Sequence, residues 1–237
     1  ITAKTTNVGN GWFRCEATAT ATATATSGFH ISLINTFAAT AAATSFTGDG
    51  TSGIYIWGAQ LEAGAFATSY IPTTTAATTR SADIASIGTL SPWYNATEGT
   101  LYGESVVLAV TNQRIASFND GTANNRIIMS RGTGSGGNIN ATVTVGGSAQ
   151  VSALTFGSSL PATTTTKAAF AYKQDDFAGS VNGGAAVTDT SGTIPTVNIL
   201  ALGSGETLGA NVLNGYLRRI TYTPRRLTDA ELQSLTS

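Results

Sequence analysis

At 237 residues the chain is long enough for one large β domain or two smaller ones. Only 11% of its residues are charged, against about 25% in an average globular domain, and its net charge is −1. No strong field therefore draws it to nucleic acid or to an anionic membrane. A hydrophobic content of 41% is not a disordered composition, and no apolar stretch reaches the roughly 18 residues that a membrane-spanning helix needs.

The chain opens on Ile1-Thr-Ala-Lys, with neither an initiating Met nor a secretory leader, so the expectation is a processed, trimmed or partial chain. Gly11-Trp-Phe-Arg-Cys starts a strand, and the single cysteine, Cys15, excludes an intrachain disulfide and reads as a buried thiol. Ala17 to Thr26 alternates Ala and Thr, which sends all Thr to one face of a strand and all Ala to the other. Gly28 to Asn35 is the next strand and carries His30, the one histidine of the chain, as a structural residue. After the turn Thr47 to Gly53, the β-branched and aromatic run Ile54 to Trp57 predicts a strand buried on both faces. Gly58 and Gly64 permit turns, and Pro72 ends the element. Thr73 to Thr79 has no charge and no large apolar residue. Residues 1–72 thus read as a β unit, 73–80 as a linker and 81–237 as a second unit.

In that second unit, strands are predicted over Gly99 to Val110, Gln113 to Asn119, Arg126 to Arg131, Asn138 to Val145, Val151 to Phe156, Lys167 to Lys173, Asp176 to Asn182 and Val197 to Gly203. Gly and Asn-Gly turns between short strands mean an antiparallel sandwich. Leu213 to Thr223 alternates, but Arg218 and Arg219 separate Leu217 from Ile220, which calls for a bulge or an edge position. Thr228-Asp-Ala-Glu231 fits a capping box before a short C-terminal helix with Leu232 and Leu235 on its apolar face.

Two stretches carry a resemblance. Gly48 to Glu62 with Thr68 to Thr73 resembles a signature of bacteriophage tail and head-fibre proteins, in which it closes a small jelly-roll-like β-sandwich. The C-terminal Gly215-Tyr-Leu-Arg-Arg-Ile-Thr-Tyr followed by Arg226-Leu-Thr-Asp-Ala-Glu-Leu is similar to laminin-G/concanavalin-A-like domains, as are Phe170-Ala-Tyr and Gly179 to Gly183. The fold class implied is all-β: a partial jelly-roll-like unit, then a concanavalin-A/laminin-G-like sandwich with a short terminal helix. Relative to such proteins, residues 1–72 are expected to be half a jelly roll, completed by other chains or by packing on the second unit, or else a smaller sandwich than usual.

The chemistry of the residues is sparse. A glycosidase places two carboxylates on either side of the scissile bond. Asp175 and Asp176 are adjacent, Glu98 and Glu104 straddle a glycine, and Asp229 and Glu231 belong to the terminal helix, so no enzyme is expected. One His and one Cys do not make a zinc site. The laminin-G likeness implies a Ca²⁺ at the sandwich rim with Asp120 and Asp175 as its candidate ligands, although Asn119-Asp-Gly read alone is turn chemistry. No other cofactor is expected. Trp93, Tyr94 and Asn95 form the one compact aromatic-plus-amide group of the kind that binds sugars, although a tryptophan near the start of a second unit is more often interdomain packing.

The resemblance implies a virion structural protein on the exterior of a phage particle, partnered by other virion proteins and displaying a domain for host-surface or environmental glycans. The alternative is a carbohydrate-binding module of a secreted or surface protein. Self-association is expected, as a trimer with the first unit at the interface, because the uncharged Ala/Thr strand and the exposed edges of a half sandwich invite pairing.

Overall fold

A computed structural model describes residues 1–22, 47–64, 67–81, 83–108, 111–132, 137–207 and 209–237. The predicted strand Gly28 to Asn35 with His30, and the second half of the Ala/Thr run, lie outside the described residues. The chain divides into two compact units, Ile1–Arg80 and Ser81–Ser237.

In the first unit, β1 (Thr2–Gly9) and β2 (Trp12–Thr18) form an antiparallel hairpin. Its turn places Gly9, Asn10 and Gly11 at φ 94°, 51° and 78°, a left-handed run that side chains with a Cβ resist and Gly and Asn tolerate. The register puts Lys4, Thr6, Arg14 and Glu16 on one face and Ala3, Thr5, Phe13, Cys15 and Ala17 on the other. Arg14 pairs with Glu16 at 2.9 Å and donates from Nη2 to the Thr68 carbonyl at 3.0 Å. Cys15 is exposed, contrary to the expected buried thiol, because it lies on the hairpin face away from those contacts.

Ile54 to Trp57 is not a strand: Tyr55 is 91% and Trp57 73% exposed, and no described strand pairs with them. High β-propensity does not by itself make a strand where no partner ladder forms. The phage-like signature is instead a loop knitted by its own side chains. Glu62 accepts hydrogen bonds from the Thr68 amide (2.6 Å) and hydroxyl (2.6 Å), and Gln60 accepts from the Ile71 amide at 2.8 Å. These bonds from Thr68 hold the Glu62 carboxyl below the usual range. Trp57 and Tyr70 meet at 4.8 Å between ring centres.

The second unit is an antiparallel β-sandwich. One sheet has five strands in the order β11 (Val187–Asp189), β10 (Asp176–Val181), β9 (Thr165–Lys173), β4 (Glu98–Val107), β13 (Gly215–Thr223). The other has six, in the order β3 (Ala85–Ile87), β12 (Ile199–Leu202), β5 (Gln113–Asn119), β6 (Arg126–Arg131), β7 (Ile139–Val145), β8 (Ser148–Gly157). Period-2 alternation explains the core. Leu101 and Phe170 face inward from the first sheet, Phe118, Ile127 and Met129 from the second, and all are fully buried. Gly103 lets the layers meet, since a Cβ there would stand 2.7 Å from Ile115 Cγ2. β13 has both properties anticipated from its paired arginines: it is an edge strand, and its register shifts between Leu217 and Arg219.

The helix α1 (Asp229–Thr236) lies on β9 and β10, on the outer face of the five-stranded sheet. Ala169, Ala171 and Ala178 are small enough to admit it, and Leu227 and Leu232 complete the contact. The capping box is present: the Glu231 amide donates to Thr228 Oγ1 and the Thr228 amide to Glu231 Oε2.

Candidate functional site

The segment before β4 runs along one end of the sandwich and brings the aromatic group together. Trp93 is half-buried and edge-on to Tyr222 with ring centres 5.4 Å apart. Tyr94 stacks on Tyr222 at 5.6 Å and 26°, and lies 5.0 Å from Phe118. Asn95 is held on three sides. Its amide nitrogen Nδ2 donates to the Pro224 carbonyl (3.0 Å), its Oδ1 accepts from Thr97, and its backbone N–H donates to the Tyr222 hydroxyl at 3.0 Å. Trp93, Tyr94 and Asn95 therefore do stand together, and with Pro92, Tyr222 and Pro224 they line an open groove of about 410 Å³. That is within the roughly 300–1,000 Å³ of small-ligand sites. A second groove, of about 400 Å³, continues past Pro92 and Tyr94 along Gly88 to Ser91 and Asn198.

The walls suit a ligand with apolar faces and polar edges. The ring of Trp93 offers a π surface, while Asn95 and the Tyr222 hydroxyl fix the groove's shape by hydrogen bonds within the protein. Burial pushes the Tyr94 hydroxyl up to about 12 and raises that of Tyr172 behind it. These phenols stay neutral at every physiological pH, so the groove carries no charge of its own from them.

The two candidate calcium ligands are in separate turns. Asp120 Oδ1 accepts from the Thr122 amide (2.9 Å) and hydroxyl (2.6 Å), and Oδ2 accepts from Asn125 Nδ2 at 2.9 Å. Those bonds, led by the Thr122 hydroxyl, lower its pKa. Asp175 sits in the β9–β10 turn at φ 57° and its Oδ1 accepts from the Gly192 amide at 2.9 Å. Asp120 thus stabilises its own turn, and Asp175 ties the β9–β10 turn to the segment after β11. Among the described residues no three His, Cys, Asp or Glu side chains come together as a metal site would require.

Tyr222 and Pro224 escaped sequence reasoning because they lie more than a hundred residues downstream of Trp93. The alternation of β13 announced a strand but not which strand end it would meet.

No family model matches the sequence, and no curated protein matches it. Solved structures do. The CBM40 module of the Ruminococcus gnavus IT-sialidase, bound to α2,6 sialyllactose, superposes with a TM-score of 0.52 at 15% identity, over 60% of this chain and 85% of that one. The NanB sialidase from Streptococcus pneumoniae gives 0.52 at 17% identity, over 65% of this chain and 27% of that one. The leech intramolecular trans-sialidase gives 0.50 at 18%, over 60% and 23%. The chain spans only about a quarter of the length of these two sialidases. At such identities the likeness establishes the fold: an antiparallel β-sandwich of the kind found in sialidase binding modules.

Proposed function

We propose that Ser81–Ser237 is a carbohydrate-binding β-sandwich, and that it holds glycans without hydrolysing them. The observation that carries this reading is the open aromatic groove of Trp93, Tyr94, Asn95 and Tyr222 at one end of the sandwich. A sugar ring laid on Trp93 would bury its apolar C–H face there and leave its hydroxyls at the rim. The similar structures support it, one of them being a binding module with sialyllactose bound. Binding without hydrolysis is the expectation from the carboxylates, since Asp120 is engaged by its own turn and Asp175 by the Gly192 amide of a neighbouring segment. The virion reading draws on the resemblance of Gly48–Glu62 and Thr68–Thr73, the low-charge composition and the lack of catalytic groups, and of the two expectations the module is the better supported.

The test is a glycan array that includes sialyllactose and neutral oligosaccharides, followed by titration of the bound glycans against wild-type protein and Trp93→Ala. The substitution is expected to weaken binding about tenfold, a loss of ~1.4 kcal/mol. Trp93→Phe, which keeps most of the packing, guards against a folding effect. No retained glycan, or unchanged affinity in both variants, would refute the reading. Incubation with the retained glycans is expected to release no reducing sugar.

A further inference from the structure

The outward face of the six-stranded sheet is unrelated to the groove and has an unusual composition. The β5–β6 register sets Arg114 beside Ser130, Ser117 beside Ile128 and Asn119 beside Arg126, in three successive outward rows. An outward row of a sheet ordinarily meets water, yet Ser117 is 0% and Ile128 2% exposed. The chain after β12 closes over them. Gly203 donates from its amide to the Ile115 carbonyl (2.9 Å), and Gly205 packs on the Arg114 stem, where a Cβ would lie 3.6 Å from Cγ. Glu206 then reaches Arg126 in an ion pair whose side chains are only 13% and 22% exposed.

The Arg126–Glu206 pair is thus largely shielded from water, and the half-buried Arg114 lies under the neighbouring Gly205. The set is incompletely used. Arg114 donates from Nη1 to Asn112 Oδ1 at 3.0 Å, but its buried Nε has no hydrogen-bond partner, and neither has the buried Glu206 Oε2. Burial lowers the Arg114 pKa while Glu206 raises it, so the two side chains feel each other's charge. A buried cluster with idle donors and a net positive charge is unfavourable as a purely structural device. It is what a guanidinium pair built for an anion looks like when the chain's own carboxylate holds the place.

We infer that Arg114 and Arg126 form a second ligand site, on the outward face of the six-stranded sheet, for a carboxylate or sulfate group, and that Glu206 occupies it until such a group displaces it. The half-buried Asn140 and Thr142 lie on the same outward face, in the rows of Ser130 and Ile128, and offer hydrogen bonds to a polar body attached to that anion. The ligand class is therefore an acidic saccharide, carboxylated or sulfated. The site is independent of the groove at Trp93.

Calorimetric titration with sodium sulfate and with sodium glucuronate, against sodium chloride at matched ionic strength, tests this. Glu206→Gln removes the competing charge and is expected to bind both probes about tenfold tighter than the wild type. Adding Arg114→Met and Arg126→Met is expected to abolish that gain. If Glu206→Gln fails to fold, Glu206→Asp, whose carboxylate is withdrawn by one methylene, has to show a gain in the same direction. The proposal is overturned if the probes bind no tighter to the Glu206 variants than to the wild type, or if the gain survives loss of both arginines. Trp93→Ala in the Glu206→Gln background has to leave the gain intact; its loss there would move the anion to the groove and overturn the assignment.

Discussion

The two outer faces of the sandwich are closed by different physics. On the five-stranded sheet, Ala169, Ala171 and Ala178 make a smooth bed, and Leu232 of α1 covers it together with Leu227, just before the helix. On the six-stranded sheet, the row of Ser117 and Ile128 lies beneath a chain segment whose contact with Arg126 is an ion pair. An apolar lid of this kind has no second arrangement of similar energy, because opening it exposes hydrocarbon to water. An ionic closure has one whenever another anion can take the carboxylate's place. The contrast explains why a helix cover reads as architecture and a Glu–Arg cover reads as a candidate switch, though both leave the residues below equally dry.

Four experiments sharpen or break that contrast. The largest effect is expected at the apolar face. Leu232→Ala removes a fully buried side chain and should destabilise the second unit by about 3 kcal/mol in urea unfolding. A change below about 1 kcal/mol would mean that the helix is an ornament on the sheet. Glu206→Gln leaves two guanidinium groups without their carboxylate and should lower stability by about 1–2 kcal/mol, between the values of exposed and buried pairs. Part of the Glu206 contribution should vanish in 1 M salt, where charges are screened beyond about 3 Å, whereas the Leu232 effect should not shrink. Thr228→Ala deletes the helix cap and should lower stability by about 1 kcal/mol, read in the same unfolding experiment.

The smallest effect is an acid one. A hydrogen bond from Arg225 first, then hydrogen bonds from the Thr228 amide and hydroxyl, lower the Glu231 pKa from the usual 4.5 to about 2. A depressed carboxylate stabilises the fold fully above its unfolded pKa and loses that contribution as pH falls through the folded one. Between pH about 4.5 and about 2 the helix should therefore fray before the sheets do, seen as exchange of the α1 amides with the β9 and β10 amides still protected. Glu231→Gln should abolish the pH dependence of that fraying. Simultaneous loss of helix and sheet protection would count against a separately opening cover.

The sequence was a good guide wherever one strand's own pattern decides the outcome. β5, β6, β7 and β9 appear close to where alternation placed them, the capping box Thr228–Glu231 forms, and the paired arginines of β13 mark a register shift at a sheet edge. It was a poor guide where the outcome needed a partner. Ile54 to Trp57 has the residues of a strand, but β-propensity is a fit to a neighbouring surface, and no described strand provides one. The same reason separates the two candidate sites. Trp93, Tyr94 and Asn95 are consecutive, so their grouping was visible at once, and the structure adds Tyr222 and Pro224 around them. Arg114 and Arg126 come to share the outward face, with the row of Ser117 and Ile128 between them, only through a register that shifts between Arg114 and Ala116, and Glu206 arrives from a different strand end. Nothing local in the sequence marks those three as a set. The carboxylate of Asp120 was the reverse case, since the turn chemistry written around it accounts for its bonds, whereas Asp175 bonds Gly192 seventeen residues away.

The exposed position of Cys15 has a practical consequence for anyone measuring how this protein associates. It is the chain's one thiol, and it stands on the outward, uncharged face of the β1–β2 hairpin. In air-saturated buffer two such thiols from separate molecules join by oxidation, and a covalent pair would pass for a native dimer in sedimentation or gel filtration. The self-association anticipated for the first unit therefore has to be measured in the presence of a reductant, or on Cys15→Ser. The same thiol accepts a single maleimide dye without any engineering, which gives every molecule one label at one known address and opens the protein to single-molecule counting of its assemblies.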